Sequence, residues 1–289
     1  MFEHLIGNDK VKYFLNNIEE PSHAYMFYGN EGIGKLLFAK EFSNKFLCIS
    51  KNRPCHECKP CIQFENDNNI DFQIIDSIEN SIKVEQIRQM ISKIYEKPIV
   101  SDKKIYIINN AEKMTIQAQN CLLKVLEEPP IYVIIILIVS NEQSILNTIK
   151  SRCIKVRFEN ILDFELKKYL EKSGKNVTRE MLKMFNGSIG KAILLQGNEE
   201  RFLSINSILE AKSKIDYLKI SKIIYENKDD IKNYLEYMNI LFYSKCSENI
   251  NYSKCIEKVN EVFEKMKYNC NVEMLLDELL LNICRIRNY

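Results

Sequence analysis

The chain has 289 residues, 46% of them apolar and 28% charged, with a formal net charge of +2. That length holds about two to three domains of ordinary globular composition. The near-balanced charge excludes a global field drawing nucleic acid or membrane. The opening Met1-Phe2-Glu3-His4 lacks the basic-then-apolar layout of a signal peptide. The most apolar run, Ile131 to Val139, is nine residues long, whereas ~20 are needed to span a bilayer. It fits a buried strand, and no membrane partner is expected. Ten cysteines without an export signal point to a reducing, cytoplasmic compartment, with thiols reduced or metal-bound.

In chain order, apolar runs predict strands over Ala24–Tyr28, Phe72–Ile75, Ile105–Ile108, Val133–Val139 and Ile154–Phe158. Amphipathic patterns between them predict helices over Lys35–Phe46, Val84–Tyr95, Ile116–Glu127 and Gln143–Ile149. Near-continuous apolar strands alternating with helices imply an α/β fold, a parallel sheet covered on both faces. After Phe158 the strand signal stops. A small helical unit follows, with a helix over Phe164–Lys172, a break at Gly174, a capped helix from Thr178 and a last helix after Gly187, ending near Gln196. From Arg201 the chain reads as all helix, interrupted at Asp229-Asp230 and across Ser247–Ser253. The expected plan is an α/β domain over 1–160, a helical lid over 161–200 and an all-α collar over 201–289.

Three motifs carry chemistry. Gly29-Asn-Glu-Gly32-Ile-Gly34-Lys35-Leu36 follows a strand and opens a helix, the setting of a phosphate-binding loop. Its glycines let backbone N–H groups converge on phosphate oxygens, and Lys35 adds a point charge. A working loop ends in Ser or Thr, whose hydroxyl holds Mg²⁺; Leu36 has no oxygen. The strand over Ile105–Ile108 runs into Asn109-Asn110-Ala111-Glu112, where an ATPase needs two carboxylates, one for metal and one for water. Asn109 and Asn110 are neutral amides that cannot accept a proton, and loss of a general base forfeits ~10²–10⁴ in rate. Glu112 lies two residues beyond Asn110 and is a poor replacement.

The third motif, Cys48-x6-Cys55-x2-Cys58-x2-Cys61, has the spacing of a tetrahedral structural zinc site. It falls between the loop helix and the second strand, where Asn52, Pro54 and Lys59 cannot build a core, so metal takes that role. His56 competes with Cys48 for the fourth position, but the backbone would have to fold back between Cys55 and Cys58; Cys48 is favoured. Simple buried cysteines are the plain alternative.

Met114-Thr-x-x-Ala118-x-Asn120-x-Leu122-Leu123-Lys124-x-Leu126-Glu127-Glu128-Pro129 resembles the clamp-loader family of AAA+ proteins. So do Leu5-Ile-Gly7, His23-Ala-Tyr-x-Phe27-x-Gly29 and Ser151-Arg152-Cys153, and the resemblance runs through about the first 195 residues. It implies a RecA-like domain with a zinc module at about 48–62, a lid and a collar. It further implies a five-membered ring with gamma/tau motor and delta subunits that loads a sliding clamp on primed DNA. Arg152 resembles a finger reaching the γ-phosphate of a neighbour, an effect worth ~10³–10⁵ in rate when given in trans. Ser140 sits at the family's γ-phosphate sensor, and Gly190 stands at the second-sensor arginine, with Lys191 beside it. With Leu36, Asn109, Asn110 and Gly190 in place, the expectation is a subunit without ATPase activity of its own. ATP or ADP would bind only weakly at Gly29, Gly32, Gly34 and Lys35. Lys10, Lys12, Lys113, Lys124 and Lys150 are candidates for a DNA-facing surface, none singled out. The rival readings are an active motor subunit of the same family and a stand-alone zinc-containing nucleic-acid-binding protein.

Overall fold

A computed structural model of the chain describes all residues except 175–176, 196–198, 227–229, 269 and 289. The expected lid end at Gln196, and Asp229 of the expected break, lie outside the described residues. The contacts divide the chain into two compact units, Met1–Glu165 with Ser188–Gly190, and Leu166–Gly187 with Lys191–Tyr289.

The first unit is a five-stranded sheet of β1 (Ala24–Tyr28), β2 (Phe72–Ile75), β3 (Lys104–Ile108), β4 (Val133–Val139) and β5 (Ile154–Arg157). The order is β2-β3-β4-β1-β5 and every pairing is parallel. Helices α1 (Asp9–Asn16), α2 (Lys35–Leu47), α3 (Lys59–Glu65), α4 (Val84–Ile94), α5 (Ile116–Glu127) and α6 (Asn147–Lys150) complete it.

Side chains alternate faces along a strand, and here both faces are apolar. Met26, Tyr106, Ile135 and Leu137 pack with Ile87 and Met90 of α4 and Leu122 and Val125 of α5. Tyr25, Phe27, Ile105, Ile136 and Ile138 pack with Phe38, Phe42 and Phe46 of α2 and Leu15 of α1. Edge-to-face contacts of Phe42 with Tyr25 and Phe46 knit the second face. All seven residues of β4 are buried, which is why that stretch reads as an unbroken apolar run.

The expected helix over Gln143–Ile149 is split. Asn141 caps a single 3-10 turn, Glu142–Ser144, through its side chain, and Ile145 is extended. The buried Gln119 of α5 explains the break. Its amide donates to the Ser144 carbonyl at 2.9 Å and accepts from the Leu146 N–H at 2.9 Å, so the backbone of this stretch bonds across to α5 rather than along a helix.

The second unit is helical: the rest of α7 (Asp163–Lys172), α8 (Arg179–Phe185), α9 (Ile189–Leu194) from Lys191 onward, α10 (Glu199–Ile205), α11 (Lys214–Tyr225), α12 (Ile231–Lys245), α13 (Asn251–Lys265) and α14 (Val272–Asn288). The Thr178 hydroxyl caps α8 by accepting from the Met181 N–H at 3.3 Å. Helix α11 packs on α14, and α13 lies against both α12 and α14. Among the described residues, no helix is long and apolar enough to cross a membrane.

Candidate functional site

In a parallel sheet the carboxyl ends of all strands share one edge, the usual place for a ligand. Four polar segments gather there. The loop Gly29–Gly34 follows β1, Asp76 follows β2, Asn109-Asn110 follow β3 and Ser140 follows β4.

Lys35 is 5% exposed. Its Nζ donates to the carbonyls of Gly29 and Asn30, each at 2.6 Å, and to Ser140 Oγ at 3.2 Å. Burial lowers its pKa to about 8, against the opposing pull of the Glu112 and Glu31 charges. Leu36 packs on the apolar face of the sheet. Gly32 has φ +75°, and its carbonyl accepts from the Gly190 N–H at 2.8 Å. A Cβ on Gly32 would lie 2.1 Å from Ser188 Oγ, and one on Gly190 would lie 2.9 Å from Gly32 Cα. Gly190, expected at the second-sensor position, has no side chain and so can touch the loop. Lys191, its neighbour, pairs instead with Glu236 at 3.0 Å.

At the end of β3 both amides donate to one carboxylate. Asn109 Nδ2 reaches Asp76 Oδ2 at 2.8 Å and Asn110 Nδ2 reaches Asp76 Oδ1 at 3.3 Å. Burial works against the Asp76 charge. The donors from Asn109, the Ser77 backbone and Asn110, with the Lys113 charge, outweigh it and hold the carboxyl below its usual value. Asn110 has φ 51° and ψ 48°, the left-handed region that Asn tolerates far better than Glu. Glu112 lies on a 3-10 turn, Ala111–Lys113, and not on the next helix. Its Oε2 is buried and makes no hydrogen bond among the described residues.

Arg152 lies two residues past α6. Its Nη1 donates to the Thr148 carbonyl at 2.8 Å and its Nη2 to Glu127 Oε1 at 2.8 Å. Its side chain is 35% exposed.

The Sγ atoms of Cys48, Cys55, Cys58 and Cys61 all lie within 4.8 Å of one another. Cys48 ends α2, Cys58 caps α3 and Cys61 sits in the first turn of α3. Zinc–sulfur bonds of about 2.3 Å make a tetrahedron with edges of about 3.8 Å, and the Cys48–Cys58 Sγ separation is 3.8 Å. The four residues therefore fit a metal ion. Backbone N–H groups of Glu57 and Cys58 bring the Cys55 thiol down to about 6, while burial pushes Cys61 and Cys48 up. His56 points its ring at Glu65, with Nδ1 2.6 Å from Oε1.

Asp76 and Gln119 carry no motif of their own, and Glu127, though it stands in the Leu126-Glu127-Glu128-Pro129 motif, is given no partner by it. Each acts through a partner distant in sequence, so the spacing rules that found the loop and the cysteines could not find them.

The family described as DNA polymerase III, delta subunit matches residues 8–162. The delta-prime subunit of DNA polymerase III from Bacillus subtilis (strain 168) is 30% identical over 222 residues, covering 75% of this chain and 65% of that protein. The gamma subunit of Buchnera aphidicola subsp. Schizaphis graminum (strain Sg) is 32% identical over 208 residues, covering 67% of this chain and 57% of its own length. The matched part thus spans less than two thirds of these curated relatives. The crystal structure of a DNA polymerase III gamma-subunit-related protein from Thermotoga maritima matches with TM-score 0.51 at 17% identity, over 96% of this chain and 99% of that one, a likeness of fold. The chain belongs to the family described as DNA polymerase III, delta subunit.

Proposed function

We propose that the chain is a clamp-loader subunit that does not hydrolyse ATP itself and that places Arg152 on the nucleotide of a neighbouring gamma/tau-type motor subunit. The observation carrying this reading is the pair of amides at the end of β3. Asn109 and Asn110 turn their N–H donors to Asp76, and as neutral amides they bring no negative charge to balance Mg²⁺ and cannot take a proton from water. Arg152 remains at the surface. A guanidinium brought to a neighbour's γ-phosphate neutralises charge developing on the transferred group.

In this reading the protein works in the cytoplasm, in a ring with motor and delta subunits around primed DNA. Residues 1–160 form the RecA-like domain, 161–200 the lid and 201–289 the collar that joins the ring. Zn²⁺ held by Cys48, Cys55, Cys58 and Cys61 ties the carboxyl end of α2 to the start of α3, a structural role. ATP or ADP at Gly29, Gly32, Gly34 and Lys35 binds weakly, since it must displace the contacts of Lys35 and Gly190.

The test is reconstitution with the motor and delta subunits. Arg152→Ala is expected to leave assembly intact and to lower DNA-stimulated hydrolysis by the motor ~10³-fold. The isolated chain is expected to hydrolyse nothing. Unchanged hydrolysis with Arg152→Ala, or DNA-stimulated turnover by the isolated chain, overturns the reading.

A further inference from the structure

Glu127 breaks a local rule. It is the last residue of α5, and Glu128 follows it as the cap. The carboxyl end of a helix is its negative pole, so two adjacent acidic side chains there oppose the helix. Departures of this kind gather at functional places.

Arg152 sits against that pole. Thr148, whose carbonyl Arg152 also engages, lies in the four-residue α6, and the Ser151 hydroxyl donates to the same carbonyl at 3.1 Å. Ser151 Oγ is a second, more distant acceptor for Nη1 at 3.5 Å. The guanidinium therefore bridges the ends of two helices. Its Nε–H and one N–H of Nη2 have no hydrogen-bond partner among the described residues.

We propose that Glu127 is the positioning residue for Arg152, fixing the guanidinium so that its remaining donors can meet a neighbour's phosphate. The proposal rests on the reading of Arg152 as a finger. An arginine tethered only at the Thr148 carbonyl can swing about that single bond, and the aligned fraction falls. The carboxylate matters here as an acceptor of the right reach. Its charge matters little, because the Glu127 side chain is 52% exposed and water screens the pair. Gln keeps that reach without the charge, and Asp keeps the charge without the reach.

The experiment uses the full chain reconstituted with motor and delta subunits, measuring DNA-stimulated ATP hydrolysis. Glu127→Asp and Glu127→Ala are expected to lower kcat by about fivefold, with KM for ATP unchanged, and Glu127→Gln to stay within about twofold of the wild type. In an Arg152→Ala background the Glu127 substitutions are expected to add nothing. If Arg152→Ala is itself silent, the finger reading fails and takes this proposal with it. If Arg152→Ala is impaired while Glu127→Asp and Glu127→Ala match the wild type, Glu127 alone loses its role. A Glu127→Gln loss as large as that of Glu127→Asp also overturns the proposal, because charge and not reach would then be what matters. None of these substitutions removes a buried side chain, so the folded protein is compared throughout.

Discussion

The strand-end polar site and the cysteine cluster are both crowded with polar groups, and they differ in whether those groups satisfy one another. At the strand ends, Lys35 has three acceptors, the Gly32 carbonyl has the Gly190 N–H, and Asn109 and Asn110 share Asp76. Its donors and acceptors are largely consumed internally. In the cluster, four sulfurs face one another. A thiol is a weak donor and a weak acceptor, and four thiolates repel. Only a cation satisfies all four at once. A polar cluster that closes on itself asks for no ligand, whereas one built of like groups does.

The largest test of that contrast is at the cluster. Cys61→Ser, or removal of metal by a chelator, is expected to abolish stoichiometric zinc and unfold residues 48–65, since a structural zinc site in a small peptide contributes ~10 kcal/mol. Metal analysis with hydrogen exchange reads both effects, and full protection without metal would erase the contrast from its open side. Next is Gly32→Ala, which strains a left-handed residue and drives Cβ into Ser188 Oγ. Denaturant melts are expected to show a loss of about 1–3 kcal/mol; a neutral result would mean the loop is not closed by Gly190.

Lys35 gives a pH signature. Its folded pKa, about 8, lies below the unfolded value of about 10.4. Between these values the unfolded chain binds more protons, so stability rises with pH across that window. Below pH 8 the penalty of the buried charge is felt in full. Lys35→Met is expected to lose this rise when unfolding is followed from pH 8 to 10, and an unaltered profile would show that Lys35 is not closed in. The smallest effect is Asn109→Asp, which sets a second carboxylate against Asp76. A loss of at most about 1 kcal/mol at pH 7 is expected, because water screens the exposed Asp76. Asp76 stabilises the wild type above the unfolded carboxyl pKa and ceases to as pH falls through its lowered folded value. The gap between the two proteins therefore closes toward pH 3, and a gap that widens there would contradict the pairing.

Much of the sheet was legible because burial on both faces leaves few polar residues inside a strand, and β1 and β4 coincide with their apolar runs; the edge strand β2 also matches its run although only Ile75 of it is buried. Helices α1 and α3 escaped for opposite reasons. Only Val11 and Leu15 of α1 are buried, while Tyr13 is 75% exposed, which blurs the helical period. The seven residues of α3 include Cys61, so the metal pattern masked the helix. The glycine loop Gly29–Gly34 and the cysteines were visible as spacings. What sits on them was not, because Gly190 meets Gly32 from a distant segment and Asp76 meets Asn109 from a neighbouring strand.

Asp76 also governs which sequences lie within reach of this one. With the negative charge carried on β2, a single change to Asp at 109 or Glu at 110 creates adjacent like charges. Removing Asp76 first leaves two amides without their acceptor. Either single step toward an acidic strand end therefore disturbs the pairing with Asp76. One carboxylate on β2 thus sets what positions 109 and 110 hold most comfortably, a preference of at most about 1 kcal/mol for the amide at 109.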